Sequence, residues 1–217
     1  MNTRLLDSLL KRLGAGPQAQ PVQGPCASGR ERSVLIFDRS GSMSFEDYPP
    51  TRLLAAFDAG MEFITARKGR GLPDLVSIIL FDTEAEFICQ DIHLNEAGKV
   101  LTSLKEQAEI GGGTDINSGL IAAERHFHHA LQGYKNRIVL LTDGHGGNPV
   151  RTGKRLREAG VVIDIIGVAG EPILVAEEQL RQVASVINGI SRYRFIGNRA
   201  ELLRHFQSIA TDLMQVY

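Results

Sequence analysis

The sequence predicts a doubly wound (Rossmann-like) α/β domain with a mixed, mainly parallel sheet and helices on both faces. Three observations carry this. Apolar runs alternate with amphipathic stretches in units of ~20–30 residues, the rhythm of strands joined by crossover helices. The runs Val34–Phe37, Leu75–Phe81, Ile138–Leu141 and Val161–Ile166 are almost continuously apolar, as in strands covered on both faces. The turn Asp82–Glu84 is too short for a crossover, so Ala85–Cys89 pairs antiparallel with the preceding strand as a short edge.

The elements follow in order. Leu5, Leu6, Leu9, Leu10 and Leu13 form a helical stripe, ended by Gly14 and Gly16 and followed by a Gly/Pro/Gln-rich linker. Residues 1–32 are therefore an N-terminal helix plus linker, and residues 33–217 the domain. The stripe fits docking on the domain or on a partner equally well. Leu53, Leu54, Phe57, Met61 and Ile64 recur at helical period after the first strand. Val100, Leu101, Leu104 and Ala108 mark a second helix, and Ile116, Leu120, Ala123, Phe127 and Leu131 a third. A basic helix lies around 150–159 and another around Leu180, Val183 and Ala184. Tyr193–Ile196 is the last strand. Leu202, Leu203, Phe206, Ile209 and Leu213 close the chain as an amphipathic helix.

Composition excludes several classes of partner. In 217 residues, 24 basic and 25 acidic side chains leave a formal charge of −1, so no uniform basic field for nucleic acid exists. No apolar run reaches the ~18–20 residues of a membrane span. Asp7, Lys11 and Arg12 interrupt the N-terminal leucines and argue against a signal peptide. Cys26 and Cys89 lie in no metal-ligand spacing and read as free thiols of a reducing compartment. A cytoplasmic location is expected.

In doubly wound sheets ligands collect beyond the carboxyl ends of the strands, and three polar loops lie there. Asp38-Arg39-Ser40-Gly41-Ser42 follows the first strand. In a loop curling around a point, alternate side chains turn inward, so one carboxylate and two hydroxyls converge. Gly111-Gly112-Gly113-Thr114 delivers another hydroxyl before a helix. Thr142-Asp143-Gly144 follows Ile138–Leu141. These are hard oxygen donors, suited to Mg2+ or Mn2+ and unsuited to zinc or copper. If the two strands are neighbours, Asp38 and Asp143 repel by ~3 kcal/mol at an effective dielectric near 20, which a divalent cation would relieve.

The segments FDRSGSM, GGGTDI and VLLTDG resemble the three pieces of the metal ion-dependent adhesion site of von Willebrand factor A domains. The likeness runs from about Ser33 to Leu213. It implies five metal-site residues, Asp38, Ser40, Ser42, Thr114 and Asp143, around Mg2+, with Mn2+ or Ca2+ as alternatives. It also implies a function: a partner protein's Glu or Asp fills an open coordination position, and affinity can be coupled to movement of the last helix. Stand-alone bacterial domains of this type resemble accessory proteins of AAA-type ATPases, stress-response clusters or kinase–phosphatase modules.

Around this set, Glu46, Asp47, Gly113 and His145 are secondary candidates for partner contact. Glu46 and Asp47 read first as a solvated acidic turn, His145 as a loop residue, and Thr114 also as a helix N-cap. His126, His128 and His129 read as a solvated helix surface, because no cysteine or carboxylate completes a zinc set. The competing class is a metal-dependent hydrolase or phosphatase using Asp38. Haloacid dehalogenase-like phosphatases need a second acid two residues on, where this chain has Ser40. Neither a Gly-x-Ser-x-Gly elbow nor a phosphate-loop lysine is present.

Overall fold

The computed structural model describes residues 29–212. The N-terminal leucine stripe, Cys26 and Leu213 lie outside the described residues. Within them the order is β1 (Glu31–Asp38), α1 (Arg52–Lys68), β2 (Leu75–Phe81), β3 (Ala85–His93), α2 (Leu94–Glu106), α3 (Ile116–Phe127), β4 (Lys135–Thr142), α4 (Val150–Glu158), β5 (Val162–Val168), α5 (Glu177–Val183), β6 (Val186–Ile187), β7 (Ile190–Ser191), β8 (Tyr193–Ile196) and α6 (Arg199–Thr211).

Six strands form one sheet in the order β3-β2-β1-β4-β5-β8, parallel except for the β2–β3 pair at one edge. β1 and β4 are neighbours, with Phe37 opposite Leu141, so the loops after them emerge side by side. This is the mixed, mainly parallel sheet the alternation predicts. One apolar cluster joins the sheet to α1, α2 and α6, and a second joins its other face to α3, α4 and α5. Among the described residues no helix is long and apolar enough to cross a membrane.

Several boundaries depart from the sequence reading because buried charge hides apolar environments. β1 starts at Glu31, two residues before Ser33. Glu31 and Arg32 are buried there because Glu31 pairs with Arg67 (3.1 Å) and Arg32 with Asp91 (2.7 Å). β3 continues past Cys89 to His93 through a register irregularity, and carries Asp91 at φ 48° beneath the Arg32 guanidinium. Ala108 and Leu131 fall beyond the ends of α2 and α3. His126 is a correction. It is only 8 % exposed, with Nε2 at 2.9 Å from Ser77 Oγ and 3.1 Å from Asp91 Oδ1, while His128 and His129 are exposed. The hairpin β6–β7 was also missed, although its Asn188-Gly189 turn, both residues at positive φ, is a strong hairpin signal.

α1 matters most for the site, because its N-terminus stands at the carboxyl edge of the sheet. Thr51 caps it by accepting from the Leu54 N–H (3.2 Å). Gly60 lets it sit close on β1: a Cβ there would lie 2.7 Å from Phe37 Cζ and 3.2 Å from Leu101 Cδ1. Gly60→Val should therefore cost about 2 kcal/mol or more in urea unfolding, through overpacking. Gly98→Ala in α2, whose Cβ would meet nothing nearer than 3.6 Å, should be neutral or gain up to ~1 kcal/mol from helix propensity. Equal losses at both positions would show that the close seating of α1 is not the cause.

Candidate functional site

The three loops meet at the carboxyl ends of β1 and β4. Asp38, the last residue of β1, is fully buried. The loop after it curls back, so that the Ser40 N–H donates to Asp38 Oδ1 (2.8 Å). Ser40 and Ser42 lie with their Oγ atoms 3.5 Å apart, and Ser42 Oγ donates to Asp143 Oδ1 (2.7 Å). The glycine loop is tied to this turn by Gly41 N–H to Gly112 O (3.1 Å) and Gly111 N–H to Arg39 O (2.7 Å). Thr114 reaches the same space: a Cβ on Gly144 would lie 3.4 Å from Thr114 Oγ1 and 3.7 Å from Asp38 Oδ2. The third loop lies flat on Thr114, where a Cβ at Gly146 would be 1.9 Å from the Thr114 carbonyl oxygen, a separation only glycine permits. Asp38, Ser40, Ser42, Thr114 and Asp143 thus surround one small volume.

The two carboxylates are not equivalent. Asp38 accepts from Ser40 and, through Oδ2, from Thr142 Oγ1 (2.6 Å), but among the described residues no lysine or arginine pairs with it. Burial pushes its carboxyl up to about 6 from an ordinary 3.8, and the charge on Asp143 adds to the rise, while the bonds from Ser40 and Thr142 pull the other way. Asp143 is equally buried but has a cation: Arg52 Nη1 donates to its Oδ2 at 2.7 Å. The same guanidinium donates from Nε and Nη2 to both oxygens of Asp47 (2.8 and 2.6 Å) and lies over the Phe45 ring, 4.9 Å from its centre. The bonds from Arg52 hold the Asp47 carboxyl below its ordinary value.

Three sequence expectations change here. Asp47, on the surface like Glu46, is not merely solvated: it is half of an ion pair with the buried Arg52, whereas Glu46 makes no contact described. The cap of α3 is Asp115, which accepts from the Asn117 N–H (3.0 Å), so Thr114 is left out of the capping. Arg52 was missed, and Thr142, named with its loop, was not expected to donate to Asp38. A basic residue in the first turn of a helix opposes the helix dipole, and that misfit at Arg52 was the available signal. Gly113 and His145 are exposed beside the cluster, and His145 lines an open groove of about 780 Å³ with Val150, Pro172, Ile173 and Glu177.

Two carboxylates and three hydroxyls make a hard-oxygen donor set, fitting magnesium, manganese or calcium. Among the described residues no group of three or more His, Cys, Asp or Glu gathers, so a zinc-type cage finds no ligands. The Ser77–His126–Asp91 cluster is not a catalytic triad. Both partners meet the same ring nitrogen, Nε2, and Ser77 is fully buried.

Comparison with known proteins bears on the family and the fold. Residues 33–145, more than half of the chain, match the model of the von Willebrand factor type A domain. The chain is 27 % identical over 187 residues to calcium-activated chloride channel regulator 1 of Bos taurus, covering 84 % of this chain but only 19 % of that protein. Among solved structures, BatB from Bacteroides thetaiotaomicron has a TM-score of 0.64 at 21 % identity, over 83 % of this chain and 97 % of that one. The manganese-loaded TRAP protein of Plasmodium vivax has a TM-score of 0.63 at 14 % identity, over 82 % and 72 %. These structural likenesses establish the fold.

The buried Asp38 gives a prediction of unusual sign. Its folded-state pKa lies above the unfolded value, so its contribution is most favourable below about pH 4 and is lost as pH rises through about 6. In EDTA at pH 7–8, Asp38→Asn should therefore be more stable than the wild type, by up to about 3 kcal/mol, and the gap should close as pH falls toward about 4. Urea unfolding across that range measures it. A wild type that outlasts the variant in EDTA at neutral pH would contradict the account.

Proposed function

Because this chain belongs to the von Willebrand factor type A domain family, we propose that it is a metal-dependent protein-binding module rather than an enzyme. Asp38, Ser40, Ser42, Thr114 and Asp143 would hold a divalent cation, Mg2+ by preference with Mn2+ or Ca2+ as alternatives. The ion, when bound, supplies a Lewis-acidic position that a glutamate or aspartate of a partner protein can fill.

The observation that carries the reading is the charge of Asp38: a fully buried carboxylate that no basic side chain pairs among the described residues. Buried charges persist in folded proteins when paired or bound to metal, and the surrounding hydroxyls complete a set of hard donors. The rim adds a second support. Phe45, Ile110, Ile173 and Leu174 are 56, 42, 82 and 54 % exposed on loops at this same edge, which suits a protein partner. The manganese in the TRAP neighbour is consistent with such a site. A nucleophilic role for Asp38 is disfavoured, because both its oxygens already accept hydrogen bonds and neither reaches the surface. An adaptor role in a cytoplasmic assembly is part of the same proposal.

Calorimetric titration with MgCl2 tests it. About one ion per chain should bind, as one oxygen-donor site requires; binding should vanish in Asp38→Ala and weaken in Thr114→Ala. Partners captured from the native cell should be released by EDTA and missed by Asp38→Ala. Absence of magnesium, manganese and calcium binding, or metal-independent capture of every partner, would overturn the reading.

A further inference from the structure

We propose that Arg52 is a built-in counter-cation that weakens this site's hold on a divalent ion and leaves the bound ion short of negative charge, so that a partner's carboxylate is needed to complete it. The inference rests on the metal-site reading above. Its ground is the arrangement around Asp143, whose two oxygens are both engaged, Oδ1 by Ser42 and Oδ2 by Arg52.

Arg52 is firmly held in that position. It is 5 % exposed, covered by the Phe45 ring and gripped on its outer side by both oxygens of Asp47. Asp47 is itself backed by the loop after β5, where a Cβ on Gly170 would lie 3.5 Å from Asp47 Oδ2. The guanidinium also sits at the N-terminal end of α1, where the helix dipole opposes a cation, so local helix energetics do not explain it. Of the charges touching the donor ring, Asp38, Asp143 and Arg52 sum to −1, and Asp47, on the outer side of the guanidinium, brings the sum to −2. Because Arg52 stands nearer the donors than Asp47 does, a dication there meets less negative potential than two unopposed carboxylates would give it. Asp47, one-third exposed, takes a share of the Arg52 charge and so sets how much reaches Asp143.

The test is calorimetric titration of the full chain with MgCl2, with and without sodium acetate as a carboxylate probe, for the wild type and three variants. Arg52→Met should bind magnesium roughly ten-fold more tightly, the scale expected for removing a unit charge a few ångström from the ion. It should also lose most of the gain that acetate gives the wild type. Asp47→Asn, which leaves the whole Arg52 charge to Asp143, should bind magnesium more weakly. Arg52→Lys should remain near the wild type.

A purely structural arginine would give weaker binding in both Arg52 variants. If Arg52→Met is too unstable to titrate, Asp47→Asn decides, and unchanged or tighter magnesium binding there overturns the proposal. A wild type that binds magnesium, with an Arg52→Met variant that binds it no better, overturns this inference and leaves the metal site standing. Failure of the wild type and Arg52→Met alike to bind any divalent ion overturns both.

Discussion

Asp38 carries its charge at the end of β1 with no exposed surface, and the loops around it are shaped by the cost of keeping it there. Desolvation alone would drive such a group toward its neutral form. The chain answers with donors: a backbone N–H from Ser40, a hydroxyl from Thr142, and further hydroxyls from Ser40, Ser42 and Thr114 near the same volume. Hydroxyls can turn either a lone pair or a proton toward their neighbour. The same side chains that soften an isolated carboxylate can therefore donate oxygens to a cation. This dual capacity explains a site built of serines and threonines with only two acids.

The second carboxylate is treated differently, and the contrast gives the site its character. Asp143 has Arg52 inside the protein; Asp38 has no such partner among the described residues. Two unpaired buried acids would favour a cation strongly but satisfy it completely. One paired and one unpaired acid would favour it less, which is the ground of the proposed need for another anion. In the proposed complex the exposed apolar side chains at the rim would supply contact area and the partner's acid direction.

Most of the fold was legible because period and connection length are direct expressions of packing. The strands covered on both faces read as apolar runs, and the three-residue turn before Ala85 forced antiparallel pairing. The gathering of the five candidate residues was legible as loop chemistry, since each follows a strand or glycine turn that delivers it. What failed to show was ionic. Glu31, Arg32, Arg67 and Arg137 look like surface residues by type, yet each is buried in charge pairs contributed by distant segments. His126 was misjudged for the same reason, its partners being 35 and 49 residues away. Arg52 meets Asp143 across 91 residues. Pairing at such separations has no local period, so a single sequence gives only the weak hint of a basic residue at the wrong end of a helix.

Internal arginines also fix the position of the last helix. Arg67 and Arg137, both fully buried, donate to the carbonyls of Ala210 and Ile209 at the end of α6, and Arg192 pairs with Asp212 (2.5 Å). Along its length α6 is joined to α1 by Arg199 on Asp58 (2.7 Å) and Gln207 on Glu62 (2.5 Å). Since α1 carries Arg52, the two helices form one packed unit with a cation at its tip against Asp143. Sliding α6 alone would break buried charge-assisted bonds at a cost of several kcal/mol. Shifting α1 and α6 together would keep the bonds between them but break those of Arg67 to Glu31 on β1 and of Arg137 on β4 to Ile209, so the pair of helices is fastened to the sheet as one body.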